Sequence, residues 1–241
     1  KTWQITREAQ DQLAYDSHHK AAAAYARGFF DDLVVPFRDL SKDNILRADT
    51  SLEKLATLKP AFDKRSGKGT LTAGNSTNLS DGASVALLSS EQWATEHNKE
   101  IQAYLVDAQV AAVDFVGGDG LLMAPAWAVA QLLKRNNLSL QDFDFYEIHE
   151  AFAAQVLCTL KAWESEEFCK EKLGMDNALG SIDRSKLNVV GSSLALGHPF
   201  AATGARIVAT AAKLLKEKGQ GRVLISICTA GGMGVAAIVE R

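Results

Sequence analysis

Few cysteines and no long apolar run occur in this sequence of 241 residues, and each absence excludes a class of protein. The three cysteines, Cys158, Cys169 and Cys228, are odd in number and lack CxxC spacing, which argues against a disulfide framework and a zinc site. No apolar run approaches the roughly 20 residues of a membrane-spanning helix, and the first residues lack signal-peptide character. We therefore expect a soluble protein whose cysteines are small buried side chains.

Positive charge is also not in excess, since 26 Lys and Arg stand against 29 Asp and Glu. The basic residues are scattered, so no nucleic-acid partner is expected. With 47% apolar residues, the chain can bury a substantial core in one or two domains. It begins at Lys1, directly in helical sequence, and we expect an N-terminal part and any targeting segment to be absent.

The N-terminal third of the chain predicts one long helix followed by irregular structure. Thr6 is a suitable N-cap and Gly28 a suitable stop for a helix rich in alanine. His18 and His19 are expected on its solvated face. Short apolar pieces and mixed charge over residues 31–69 predict an irregular segment that belongs to an inserted subdomain.

Strand and helix patterns alternate through the rest of the chain, which predicts α/β architecture. The last two strands are joined by a short turn, so they should form an antiparallel hairpin in which the first strand is central. The predicted strands are 83–88 (buried), 104–116, 143–148, 187–190, 222–228 and the C-terminal run after the "TAGGM" turn, and the predicted helices are 91–98, 126–135, the one that follows "HEAF", and 204–218.

Several known motifs fail on inspection. "HEAFA" begins like a helical zinc site, but Ala153 stands where the second histidine is required, so no metal is expected. No nucleophile elbow or phosphate loop is present. Three potentially reactive side chains remain, each at the end of a predicted strand: His149, His198 and Cys228. Gly197 and Pro199 restrict the backbone around His198 and so aim its ring at one point.

The motifs "HEAFAAQ", "GHPFAATGAR" and "CTAGGMG", preceded by "TAGNSTNLSDGA", resemble the thiolase family. The HEAFA and GHPFAATG forms are most similar to the 3-ketoacyl-CoA thiolase β subunits of fatty-acid oxidation complexes. The resemblance implies the layered αβαβα thiolase fold, here its C-terminal half with a mixed β-sheet and part of the first half. Residues 1–70 would be the remainder of the loop domain, 71–99 the end of the first half, and 100–241 the second half.

The resemblance also implies roles for the reactive residues in thiolysis of a 3-ketoacyl-CoA. Cys228 would be the acid/base, a role that suits a thiol with an ordinary pKa near ~8.5. His198 would activate the nucleophilic cysteine and donate to the thioester oxygen. His149, where many thiolases have asparagine, would hold a water in an oxyanion hole. Ala230, in place of the commoner glycine, would offer its N–H beside Gly231 to an oxyanion hole.

Two further positions follow from the same resemblance. Thr77 would lie near the pantetheine of coenzyme A, although residues 75–80 also fit a simple turn that satisfies its own backbone. Ala201 stands where glycine is usual in the family.

No cysteine matches the family's acyl-accepting cysteine, so the chain alone is expected to be inactive. The partners implied are CoA thioesters, with coenzyme A as co-substrate and no tightly bound cofactor, the missing N-terminal half, a second copy in a homodimer, and a hydratase/dehydrogenase α subunit. The location implied is the cytoplasm of a bacterium or the mitochondrion of a eukaryote. Two alternatives stay open: a non-catalytic thiolase-like domain for assembly or lipid binding, and a biosynthetic acetoacetyl-CoA thiolase.

Overall fold

A computed structural model describes residues 2–241, and the chain divides into two units. The first unit comprises residues up to 81 together with 148–200, and the second comprises 82–147 and 201–241. The elements in chain order are α1 (Arg7–Ala26), α2 (Leu52–Ala56), α3 (Glu91–Glu96), β1 (Tyr104–Ala112), α4 (Ala124–Asn136), β2 (Phe145–Ile148), α5 (Ala153–Glu164), α6 (Glu166–Leu173), α7 (Ser193–Leu196), α8 (Thr203–Lys218), β3 (Arg222–Thr229) and β4 (Met233–Glu240).

Helix α1 begins where the sequence predicts, because the Thr6 hydroxyl accepts a hydrogen bond from the backbone N–H of Ala9 at 3.2 Å. Small side chains on one face let it pack closely, and Ala14 joins a buried cluster with residues of α2, α5 and α7. The expected solvated face is wrong for His18, which is only 6% exposed. Its Nδ1 accepts a hydrogen bond from the backbone N–H of Arg47 at 3.2 Å, so the buried ring has a polar partner.

The irregular segment 31–69 is confirmed apart from the short helix α2, which is capped by Ser51. The strand expected at 187–190 is wrong. Leu187 and Val190 are buried, but Asn188 has a φ of 45° and leaves the extended region. Its side-chain amide accepts from the N–H of Ile148 at 2.8 Å and donates to the Ile148 carbonyl at 2.9 Å. The Asn188 side chain therefore makes the hydrogen bonds to the backbone of Ile148 that a neighbouring strand would otherwise make.

The second unit contains a four-stranded sheet in the order β1-β4-β3-β2. Strands β3 and β4 form the predicted antiparallel hairpin, in register from Arg222 opposite Glu240 to Thr229 opposite Met233. Apolar side chains of α8 pack on one face of the sheet, including Ile207 and Leu215. On β4, a Cβ at Gly234 would lie 2.5 Å from the backbone nitrogen of Pro125, so glycine permits α4 to approach the strand.

The buried strand expected at 83–88 is also wrong. Within residues 2–241 the segment has no strand partner, and Val85 and Leu87 are 88% and 70% exposed. A strand needs a neighbour for its backbone hydrogen bonds, and the apolar pattern alone cannot supply one. None of the helices in the described part of the chain is long and apolar enough to span a membrane.

Candidate active site

His149 follows β2 directly and is fully buried in the first unit. Its Nδ1 lies 2.8 Å from the hydroxyl oxygen of Ser193, the first residue of α7, which is also fully buried. The backbone carbonyl of Ser193 in turn accepts a hydrogen bond from the Thr77 hydroxyl at 2.8 Å. The turn after β2, the start of α7 and the segment around Thr77 are thus joined by polar contacts.

His198 lies just beyond α7, and the structure brings its ring next to that of His149. The two ring centroids are 4.2 Å apart, with the ring planes inclined by 50°. Gly197 has a φ of 87°, and a Cβ there would lie 2.8 Å from the Ser80 hydroxyl oxygen. The backbone conformation favours glycine, as the Gly-His-Pro sequence indicated, and any other residue would also have to displace the Ser80 side chain.

A cavity of about 310 Å³ opens beside His198. Apolar side chains stand at its edge, since Leu79 and Phe200 are 93% and 76% exposed. The ring of Phe200 also lies 5.0 Å from that of His198, centroid to centroid. Ser80 and Asp81 complete the lining of the cavity, so the half-buried imidazole of His198 stands among both polar and apolar side chains.

A buried carboxylate supports the turn after β2 that carries His149, which we call the histidine turn. The sequence did not predict this role. Glu150, only 2% exposed, accepts hydrogen bonds from the Ser17 hydroxyl and the Asn188 amide, each at 2.7 Å. It also accepts from the backbone N–H of Leu194 at 3.2 Å. The carboxylate therefore ties α1 and the start of α7 to the turn that carries His149.

The sequence gives different amounts of information about the three residues that support His149, which are Glu150, Ser193 and Asn188. The position of Glu150 inside the HEAFA motif is a signal that could have identified it. The position of Ser193 a few residues before the Gly-His-Pro turn is a weaker signal. Nothing in the sequence distinguishes Asn188, because its role depends on the path of the chain around β2.

Thr77 lies in the first unit with its polar groups already engaged. Besides the bond from its hydroxyl to Ser193, its backbone N–H donates to the Ala151 carbonyl at 3.0 Å. The neighbouring Asn75 accepts from the N–H of Thr72 at 2.7 Å, and its carbonyl accepts from the N–H of Ala153 at 3.0 Å. The backbone at residues 75 and 77 therefore bonds to residues 151–153, which a simple turn satisfying its own backbone would not do. The role of Thr77 near pantetheine stays a prediction.

Cys228 lies near the end of β3 in the second unit and is 4% exposed. Burial raises the pKa of its thiol to about 12, so the sulfur holds its proton. The turn that follows exposes Ala230 and Gly231, and Gly231 has a φ of 79°. Among residues 2–241, no group of three or more His, Cys, Asp or Glu side chains is placed to hold a metal ion.

Comparisons with known proteins agree with these motifs. The C-terminal domain family of thiolases matches residues 99–241, and the N-terminal domain family matches residues 1–92. This chain belongs to the thiolase family. Over its whole length, the chain is 44% identical to the 3-ketoacyl-CoA thiolases of Serratia proteamaculans and Shewanella baltica.

A solved structure shows the fold as well. The crystal structure of an acetyl-CoA acetyltransferase from Bacillus anthracis superimposes with a TM-score of 0.81 at 39% sequence identity. The match covers 99% of this chain and 57% of that structure, and this thiolase chain spans 56% of the length of the two 3-ketoacyl-CoA thiolases. The α/β thiolase fold expected from the sequence is confirmed.

Proposed function

We propose that this chain contributes the second half of an active site for thiolysis of a 3-ketoacyl-CoA to acetyl-CoA and a shortened acyl-CoA. The observation that carries the proposal is that the buried ring of His149 lies 4.2 Å, centroid to centroid, from the half-buried ring of His198, which lines a cavity. In a thiolase, two imidazoles at such a place can donate hydrogen bonds to a thioester oxygen as it gains negative charge.

Cys228 supplies the proton in this scheme. Cleavage of the bond between carbons 2 and 3 leaves its electron pair on carbon 2 as the enolate of acetyl-CoA. A thiol whose pKa is raised by burial is protonated at neutral pH and can transfer its proton to that carbon. The exposed turn at Ala230 and Gly231 offers backbone N–H groups for the enolate oxygen.

The cysteine that accepts the acyl group would come from the part of the thiolase N-terminal domain that this chain does not contain. Its thiolate forms the thioester bond to carbon 3 as the bond between carbons 2 and 3 breaks. The sulfur of coenzyme A, the co-substrate, then attacks this thioester and releases the cysteine thiolate, and the proton of the CoA thiol returns to the Cys228 thiolate. The chain alone should therefore be inactive. The same proposal divides the chain into three parts. Residues 1–70 are the remainder of the loop domain, residues 71–99 are the end of the first half, and residues 100–241 are the second half.

The decisive experiment assays CoA-dependent cleavage of 3-ketoacyl-CoA by the chain alone and after combination with the rest of a thiolase N-terminal domain. We expect turnover only in the combination and its loss in His198→Ala. Turnover by the isolated chain would contradict the shared site. Full activity of the His198→Ala combination would contradict the assigned role of the histidine.

The same preparation tests a second candidate reaction, condensation of two acetyl-CoA molecules. The name of the Bacillus anthracis relative, acetyl-CoA acetyltransferase, favours this candidate. The apolar side chains of Leu79 and Phe200 at the cavity favour a longer acyl chain. Faster turnover of a long-chain 3-ketoacyl-CoA than of acetoacetyl-CoA would support fatty-acid oxidation, and the reverse order would support condensation.

Assembly is a separate part of the proposal. A homodimer, a hydratase/dehydrogenase α subunit and a cytoplasmic location fit a bacterial fatty-acid oxidation complex. Native mass spectrometry of the purified protein tests the first two. A companion polypeptide is the expected result, and a monomer alone would count against the assembly.

A further inference from the structure

We propose that Ser193 is a positioning residue that fixes the tautomer and the ring orientation of His149. The proposal rests on the proposed function, because it concerns the same site. The two side chains are both fully buried, and the Ser193 hydroxyl oxygen lies 2.8 Å from Nδ1 of His149. This distance is that of a well-formed hydrogen bond.

Ser193 is itself held on two sides. Its carbonyl accepts a hydrogen bond from the Thr77 hydroxyl at 2.8 Å. The next backbone N–H, that of Leu194, donates to the carboxylate of Glu150 at 3.2 Å. Glu150 is the residue after His149, and Leu194 is the residue after Ser193. One hydrogen-bond network therefore holds the backbone beside both His149 and Ser193.

The chemical consequence concerns the single N–H of a neutral imidazole. A serine hydroxyl can donate or accept, so the 2.8 Å contact fits either tautomer of His149. If the Ser193 hydroxyl donates to Nδ1, as proposed, that nitrogen carries the lone pair and Nε2 carries the proton. Nε2–H is then a donor for a water or a thioester oxygen. The opposite tautomer would present a lone pair from Nε2, which repels a developing oxyanion.

Serine thus gives histidine the function that an asparagine amide has by its covalent structure. An asparagine NH₂ group is always a donor, whereas a histidine nitrogen is a donor only if the proton is held there. A HEAFA motif therefore requires a second residue to define the donor, and the structure places Ser193 in contact with the ring.

The experiment is ¹⁵N NMR of the histidine ring nitrogens in this chain above the titration range of His149, with the resonance assigned by His149→Gln. We expect Nε2 to be protonated in the unchanged chain. Ser193→Ala should reduce the preference for this tautomer about fivefold, the ratio given by one hydrogen bond of ordinary net strength. Ser193→Thr keeps a hydroxyl and should restore it.

Ser192→Ala is the matched control. Ser192 is the preceding residue, is equally buried, and its hydroxyl makes no hydrogen bond within the described residues. Its removal should leave the His149 spectrum unchanged, which separates loss of this contact from general disturbance of the turn.

A His149 ring protonated at Nδ1 in the unchanged chain would overturn the proposal without any variant. An unchanged tautomer ratio in folded Ser193→Ala would overturn it as well. Neither measurement needs turnover, so failure of the thiolase assay with the expected tautomer would refute only the proposed function.

Discussion

Gly191→Ala should destabilise the first unit much more than the same change at Gly174. Gly191 has a φ of 76°, and a Cβ there would lie 2.6 Å from both the Ser17 carbonyl oxygen and the Cβ of Ala21. Neither atom is the end of a flexible side chain. Gly174 has a similar φ of 65° but no atom within 4 Å of its added Cβ.

The two variants share one cost and differ in the other. Each places alanine in the left-handed region, which costs about 1 kcal/mol. Only Gly191→Ala must also separate α1 from the turn before α7, and overpacking of this kind costs about 1–3 kcal/mol more. Because the N–H of Ser192 donates to the Ser17 hydroxyl at 3.1 Å, the same displacement reaches the residue next to Ser193.

Urea unfolding, followed by the fluorescence of tryptophans that include the fully buried Trp163, measures the difference. With an ordinary urea dependence of about 1–3 kcal/mol per molar, we expect the midpoint of Gly191→Ala to lie about 1 M below that of Gly174→Ala. Equal midpoints for the two variants would refute the argument that α1 and this turn are in tight contact.

Three other changes test separate parts of the structure. Burial first, and then the charges of neighbouring Arg47 and His19, lower the pKa of His18 to about 4, so only the unfolded chain binds a proton between about pH 6.5 and 4. Stability should fall as the pH decreases through this range, and His18→Gln should remove that part of the decrease in urea titrations. Glu150→Gln should cost about 1–3 kcal/mol of unfolding free energy, because an amide NH₂ would face one of the donors that now bind the carboxylate. Ala201→Gly should raise the thermal midpoint, since alanine has a φ of 66° there and glycine relieves about 1 kcal/mol of strain.

Each of these changes has its own check. An unchanged pH dependence of stability in folded His18→Gln would contradict the argument from the buried ring. Ala209→Gly, in the middle of α8, should destabilise by about 1 kcal/mol, opposite in sign to the change at Ala201. An unchanged urea midpoint for Glu150→Gln would show that its hydrogen-bond network contributes little to folding.

Local patterns predicted most of the regular elements. The N-cap at Thr6, the end of the helix at Lys218 and the short turn between β3 and β4 are encoded by neighbours in the chain, and the structure has all three. The strand predictions failed at 83–88 and 187–190. In both segments the apolar pattern was suitable, but a strand also needs a partner, and partners are distant in sequence.

In the candidate active site, too, some features follow from the sequence and others from tertiary contacts. The sequence by itself predicted His149, His198 and Cys228 as reactive side chains and predicted a turn at Gly197 that orients His198. Only the tertiary structure decided that the His149 and His198 rings lie together, that His18 is buried, and that Ser193, Glu150 and Asn188 support the histidine turn. The physical reason is that backbone conformation depends on adjacent residues, whereas burial and hydrogen-bond partners depend on contacts between segments more than 100 residues apart, as between Ser17 and Glu150.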